Sequence, residues 1–132
     1  MRGASLALVC VVAAGCGGSG STSTARAASA IRVALTADTH TPRAGARWSY
    51  SVRVADDRGK PLPARVHLQV VFGGAAVGQV GVHRVRGVWK ETLGTPGNPP
   101  WPARSRGLPL TFQAVVTARG RTVKRNWWIK VR

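Results

Sequence analysis

The last part of the chain, residues 108–132, shows the clearest alternation of apolar and polar positions. Apolar side chains recur at every second position over residues 108–116 and again, with Arg125 as the one exception, over residues 123–131. A period of two is typical of a β-strand with one buried face. Arg119 and Gly120 separate the two runs, and glycine adopts the positive φ that tight hairpin turns require. The pattern predicts a long β-hairpin.

Shorter alternations precede this hairpin. They predict five more strands, over residues 31–37, 48–55, 66–72, 77–85 and 88–93. The fourth of these has the weakest pattern, because Gly78 and Gly81 dilute it. Segments rich in Gly, Pro and Asp separate the strands. Seven short strands with frequent turn signals predict an all-β fold, an antiparallel sandwich of two sheets.

The predicted sandwich requires a strand arrangement and a core. We expect strands 1, 2, 4 and 5 in one sheet and strands 3, 6 and 7 in the other, since the tight turn at Arg86 and Gly87 would make strands 4 and 5 neighbours. The centre of the core is predicted at large inward-facing side chains, namely Trp48, Leu68, Val70, Phe112 and Trp127. At such a position Trp127→Ala would cost about 3–5 kcal/mol.

Residues 31–132 resemble the immunoglobulin-like and fibronectin type III-like domains of bacterial surface proteins. Trp48 on the second strand and the turn DRGKPL over residues 57–62 carry this resemblance. Two immunoglobulin hallmarks, the Cys pair and a Tyr early in the penultimate strand, are missing from the sequence. The resemblance implies a module used for spacing or adhesion more often than for catalysis.

The N-terminal segment has the features of an export signal. A positive start, Met1 and Arg2, precedes an apolar run over residues 6–14 that is too short to span a bilayer as a helix. The following residues, AAGC at positions 13–16, resemble the lipobox of bacterial lipoproteins, with Ala13 in place of the usual Leu. The resemblance implies cleavage before Cys16 and a lipid on that cysteine. The alternative is an ordinary signal peptide with an incidental Cys16.

Residues 17–30 contain Gly, Ser, Thr and Ala with a single Arg, and no apolar periodicity. Such a segment is predicted to be a flexible linker, with a span of about 20–23 Å from Cys16. The predicted organisation is therefore a signal peptide over residues 1–15, a lipidated Cys16 with linker over residues 16–30, and a sandwich domain over residues 31–132. This organisation predicts a cell-envelope protein anchored to the outer face of the cytoplasmic membrane.

The charge of the chain is strongly positive. Lys and Arg together number 20 against 4 acidic residues, a net charge of +16. Such a charge favours polyanionic partners, here anionic envelope polymers, lipid headgroups or another envelope protein. The alternative is a compositional bias that scatters Arg over solvated strand faces. Nucleic acid is not expected as a partner, because an exported domain rarely meets it and the basic residues form no continuous stripe.

Catalytic chemistry has little support in the sequence. The few carboxylates include two in one turn, Asp56 and Asp57, which point in different directions, and no nucleophile elbow or phosphate loop is present. We therefore predict a non-catalytic protein without a cofactor. The alternative chemistry is metal handling: His67 and His83 would lie nearly opposite each other if strands 3 and 4 paired, and two imidazoles on one face could bind copper or zinc.

Ligand recognition is the remaining candidate function. Trp101, with Arg104 and Arg106, lies in a Pro-rich loop over residues 94–107 and could stack a sugar or hold a peptide. Alternatively, Trp101 folds back to cap the open end of the sandwich. Trp128 faces away from Trp127 on the last strand and is a second candidate for an exposed aromatic contact.

Overall fold

The structure is a computed structural model, and it describes residues 30–132. The predicted signal peptide, Cys16 and the linker lie outside these residues. The strands are β1 (Ile31–Ala37), β2 (Trp48–Asp56), β3 (Pro63–Phe72), β4 (Ala75–Arg86), β5 (Val88–Leu93), β6 (Leu110–Ala118) and β7 (Arg121–Ile129), with one 3₁₀ turn, η1 (Ala103–Ser105).

Seven strands form two antiparallel sheets that pack face to face, which confirms the all-β sandwich. One sheet has the order β1-β2-β5, and the other has the order β4-β3-β6-β7. The predicted C-terminal hairpin is present as β6 and β7, paired from Leu110 with Ile129 to Ala118 with Arg121. Its turn uses the left-handed region at Arg119 (φ 49°) and Gly120 (φ 70°).

The predicted sheet assignment of the fourth strand is wrong. β4 pairs with β3 in the four-stranded sheet, whereas β5 pairs with β2 in the three-stranded sheet. The short turn therefore carries the chain from one sheet to the other. Gly87 (φ 84°) makes this crossing possible, because its carbonyl accepts the Val54 N–H at 2.7 Å while its own N–H donates to the Leu62 carbonyl at 3.1 Å.

The core is built from the inward-facing side chains of both sheets. Trp48, Leu68 and Phe112 are fully buried, as expected, whereas Val70 and Trp127 are only partly buried. Trp127 misses the centre because β7 is an edge strand, and its indole ring stacks on the His40 ring with 3.9 Å between ring centroids. Every buried hydrophobic residue of this core lies between Val33 and Val131.

The sandwich has two ends, which we name after one residue at each. At the Ile31 end, Ile31 pairs with Asp56, and the β2–β3, β4–β5 and β6–β7 connections lie nearby. At the Trp101 end, Trp48 pairs with Leu93, and the β3–β4 turn and residues 94–107 lie nearby. β1, with seven residues, and β3, with ten, run between the two ends, which are therefore about 20–30 Å apart.

Candidate functional site

A cavity of about 470 Å³ lies at the Trp101 end, between the β3–β4 hairpin and the loop that joins β5 to β6. Its walls are mostly apolar, formed by Val70, Phe72, Val80, Leu93, Trp101 and Leu110 among others. This volume is within the range of about 300–1,000 Å³ that is usual for small-molecule sites. The cavity is therefore the candidate ligand site of this domain.

The Pro-rich loop is held in place by backbone hydrogen bonds and by one aromatic anchor. The Trp101 carbonyl accepts the Gly45 N–H at 3.0 Å, and the Asn98 carbonyl accepts the Gly94 N–H at 2.8 Å. The Trp101 ring, only 4% exposed, meets Trp48 edge-on with 5.4 Å between ring centroids. Trp101 therefore belongs to the core, as the capping alternative proposed, and its ring faces are not open for stacking a sugar.

Trp101 has one unusual feature. It lines the cavity, yet its buried Nε1–H has no hydrogen-bond acceptor among the described residues. A buried donor without an acceptor costs about 1–3 kcal/mol. The other three indoles in or against the core lack this defect. Trp48 and Trp127 both donate to the Thr39 carbonyl, at 2.9 and 3.3 Å, and Trp89 donates to the Tyr50 hydroxyl at 3.3 Å.

The structure separates the other predicted ligand contacts. Arg104, in η1, lines the cavity, whereas Arg106 does not and instead lies beside Val131 in an isolated bridge. Trp128 is 57% exposed. The His40 ring stacks on Trp128 as well as on Trp127, and the His40 Nδ1 lies 2.7 Å from the Trp128 carbonyl. Trp101 and Arg104 thus share the cavity, and Arg106 and Trp128 lie outside it.

The two candidate metal ligands do not share a face. β3 and β4 do pair, but the register places His67 opposite Val82 and His83 opposite Val66. Val66 is fully buried, so His83 points between the sheets, and His67 points outward, hydrogen-bonded to Gln79. Across residues 30–132, no group of three or more His, Cys, Asp or Glu side chains is placed to hold a metal ion.

His83 belongs to a polar cluster that the sequence did not reveal. Tyr50 donates its hydroxyl to Glu91 at 2.9 Å and accepts the Trp89 indole N–H at 3.3 Å. His83 stacks on Trp89 and lies 3.7 Å from Glu91. Burial, followed by the bond and charge of Glu91, raises the pKa of Tyr50 far above its usual value. The phenol therefore stays protonated as a donor. The only indication of this cluster in the sequence was the alternation that places Trp89 and Glu91 on one strand face with Leu93.

The outer face of the four-stranded sheet is basic. This face carries Arg65 and Arg84 directly opposite each other. None of the four acidic residues of the chain belongs to that sheet; Asp56 and Glu91 belong to the three-stranded sheet, where Asp56 is buried and Glu91 accepts the Tyr50 hydroxyl on the inner side. Like charges in directly opposed positions destabilise a sheet. This outer face is consequently suited to an anionic partner.

Comparison with known proteins finds a likeness to a solved structure. No protein-family model matches the chain, and no curated protein matches it in sequence. The solved structures include Spo0M, a sporulation control protein from Bacillus subtilis, with 13% identity and a TM-score of 0.48. The match covers 78% of this chain and 49% of Spo0M, so the chain spans about half the length of that structure.

The helical content of the described part is confined to one short turn. Within residues 30–132, no helix has the length and apolar character that a membrane crossing requires.

Proposed function

We propose that this protein is an exported lipoprotein, anchored by lipid on Cys16 to the outer face of the cytoplasmic membrane, and that its sandwich is a non-catalytic binding module. The observation that carries the proposal is the position of the cavity. It lies at the Trp101 end, and the linker joins the sandwich at the Ile31 end. A chain anchored through Cys16 would hold the cavity on the side remote from the membrane, accessible to envelope ligands.

The outer face of the four-stranded sheet supports the same location. Its opposed Arg65 and Arg84 lie near the Ile31 end, where Pro63 pairs with Arg86. An anionic leaflet attracts basic side chains near its surface by about 1 kcal/mol each. These residues would add an electrostatic contact to the lipid anchor.

We further propose that the domain is immunoglobulin-like in the broad sense. In the constant-type immunoglobulin arrangement the fourth strand lies in the same sheet as the first, second and fifth. The three-plus-four distribution found here instead favours the fibronectin type III-like side of the resemblance.

The location is tested by cysteine replacement. The Cys16→Ser chain should leave the membrane fraction, whereas the Cys10→Ser chain, altered at the other cysteine, should remain there. Mass spectrometry of the membrane-bound wild-type protein should find Cys16 at the N-terminus with acyl groups attached. Recovery of an unacylated mature protein, or membrane retention of Cys16→Ser equal to that of Cys10→Ser, would refute the anchor.

A further inference from the structure

The cavity at the Trp101 end combines an apolar interior with an apolar rim. Six large hydrophobic residues are exposed in the described part of the chain, and three of them, Phe72, Val77 and Leu108, line this one cavity. Exposed apolar side chains gathered around one opening indicate a ligand that is itself apolar over much of its length.

The cavity also carries a charge of one sign. Among the described residues that line it, Arg104 is the only charged one, and none is a carboxylate. A guanidinium at the edge of an apolar cavity favours a ligand with an anionic head, because charge-assisted hydrogen bonds to carboxylate or phosphate are strong and directional.

We propose that the cavity binds an anionic amphiphile: an apolar chain lies against Val70, Phe72 and Val77, and a carboxylate or phosphate head contacts Arg104. The inference rests on the proposed function, since it names the ligand class of the same binding module. It does not depend on the lipid anchor, so the two can fail separately. If the cavity bound no amphiphile, Cys16→Ser would still be expected to leave the membrane fraction. If Cys16 carried no lipid, the cavity would still be expected to bind the amphiphile.

The headgroup is tested by titrating the full-length Cys16→Ser chain with dodecanoate, dodecyl phosphate and dodecanol in a calorimeter, each below the concentration at which it forms micelles. At least one of the two anions should bind about tenfold or more tightly than the alcohol, and the tighter anion identifies the head. Arg104→Gln should abolish this preference. Arg106→Gln, the matched control outside the cavity, should preserve it.

The apolar part is tested by a matched pair of exposed valines. Val77 is 59% exposed and lines the cavity, whereas Val88 is 46% exposed and does not. Val77→Ser should weaken dodecanoate and dodecanol alike by several-fold, and Val88→Ser should weaken neither. Acetate, which has the head without the chain, should not bind measurably.

Four results would overturn the proposal. Equal affinities for the anions and the alcohol would exclude the role of Arg104, as would a preference that survives Arg104→Gln. Acetate binding as tight as dodecanoate, or equal effects of Val77→Ser and Val88→Ser, would exclude the apolar part. Intact folding of each variant is checked by near-ultraviolet circular dichroism, because four of the five Trp residues lie in or against the core.

Discussion

The two sheets bury one common core but present different outer faces. The outer face of the three-stranded sheet carries Ser49 and Thr92, whose hydroxyls are hydrogen-bonded at 2.7 Å. The four-stranded sheet carries a row of side-chain amides, in which Gln69 donates to Gln113 and Gln113 donates to Asn126, beside an acid-free basic region. Packing constrains the inner faces of both sheets alike, whereas only solvent and partners act on the outer faces, which are free to diverge.

The inner faces also differ in how completely they are covered. Trp48→Ala, in the three-stranded sheet, should lower the free energy of unfolding by about 3–5 kcal/mol, because the side chain is fully buried among Tyr50, Trp101 and Phe112. Trp127→Ala, in the four-stranded sheet, should cost clearly less, since that indole is partly exposed on an edge strand. Urea denaturation followed by circular dichroism measures both. Equal losses would contradict the difference in burial.

The crossing between the sheets depends on Gly87. An alanine there would have a φ of +84° and a Cβ 2.8 Å from the Pro61 Cβ, so Gly87→Ala should cost about 2–3 kcal/mol. Gly97→Ala is the matched control at the other end, since its φ of +85° carries the same backbone penalty while its Cβ meets nothing within 4 Å. The difference between the two denaturation midpoints isolates the steric part. Similar midpoints would show that Pro61 moves away from the added Cβ at little cost in free energy.

The outer faces are compared by removing two arginines from each. The Arg65→Gln, Arg84→Gln chain should lose about 2 kcal/mol of binding to anionic vesicles, roughly thirtyfold, in the Cys16→Ser background. The Arg32→Gln, Arg53→Gln chain removes the same charge at the same end of the other sheet and should lose less, because Arg32 and Arg53 each pair with an alanine and not with each other. Cosedimentation with phosphatidylserine and with zwitterionic vesicles separates the electrostatic part from apolar adsorption.

Equal losses for the two double variants would mean that net charge alone attracts the protein. High salt should remove the difference between them, because exposed charges are screened within about 8–10 Å.

The smallest expected effect concerns a carboxylate of the three-stranded sheet. The backbone N–H of Lys60, 2.8 Å from the Asp56 carboxylate, lowers the pKa of Asp56 below 3.8, with help from the Arg58 N–H and the nearby charges of Arg119 and Lys60. A lowered folded pKa contributes stability that is complete above the unfolded value and is lost as the pH falls through the folded value.

Melting temperature should therefore decline below about pH 4 more steeply for the wild type than for Asp56→Asn. Asp57→Asn, which changes the adjacent residue in the turn, should keep the wild-type slope. A slope that Asp56→Asn leaves unchanged would exclude this carboxylate as the source of acid sensitivity.

Local pattern predicted much of this molecule correctly. The alternation over residues 108–131 predicted the β6–β7 hairpin to within two residues at its open end, and Trp48, Leu68 and Phe112 are buried as expected. A period of two is a property of the strand itself and needs no knowledge of its neighbours. The weak pattern at Gly78 and Gly81 still marked a strand, which turned out to be the longest of the seven.

Prediction failed where the outcome depended on the partner of a strand. A one-residue turn at Gly87 is compatible with a hairpin or with a crossing between sheets, and only the positions of Val54 and Leu62 decide between them. His67 and His83 lie on paired strands, but the register, which includes two bulges, places them on opposite faces. The sequence left Trp101 open to an exposed contact or a buried cap.

The sequence by itself determined the class of fold, the positions of the strands and most of the core, because alternation and turn chemistry are encoded in neighbouring residues. The tertiary structure alone decided which sheet β4 joins, which Arg faces the cavity, and how Tyr50, His83, Trp89 and Glu91 meet between the sheets. These features join residues 30 or more positions apart along the chain, or depend on a register, and no local pattern specifies the free energy of such contacts.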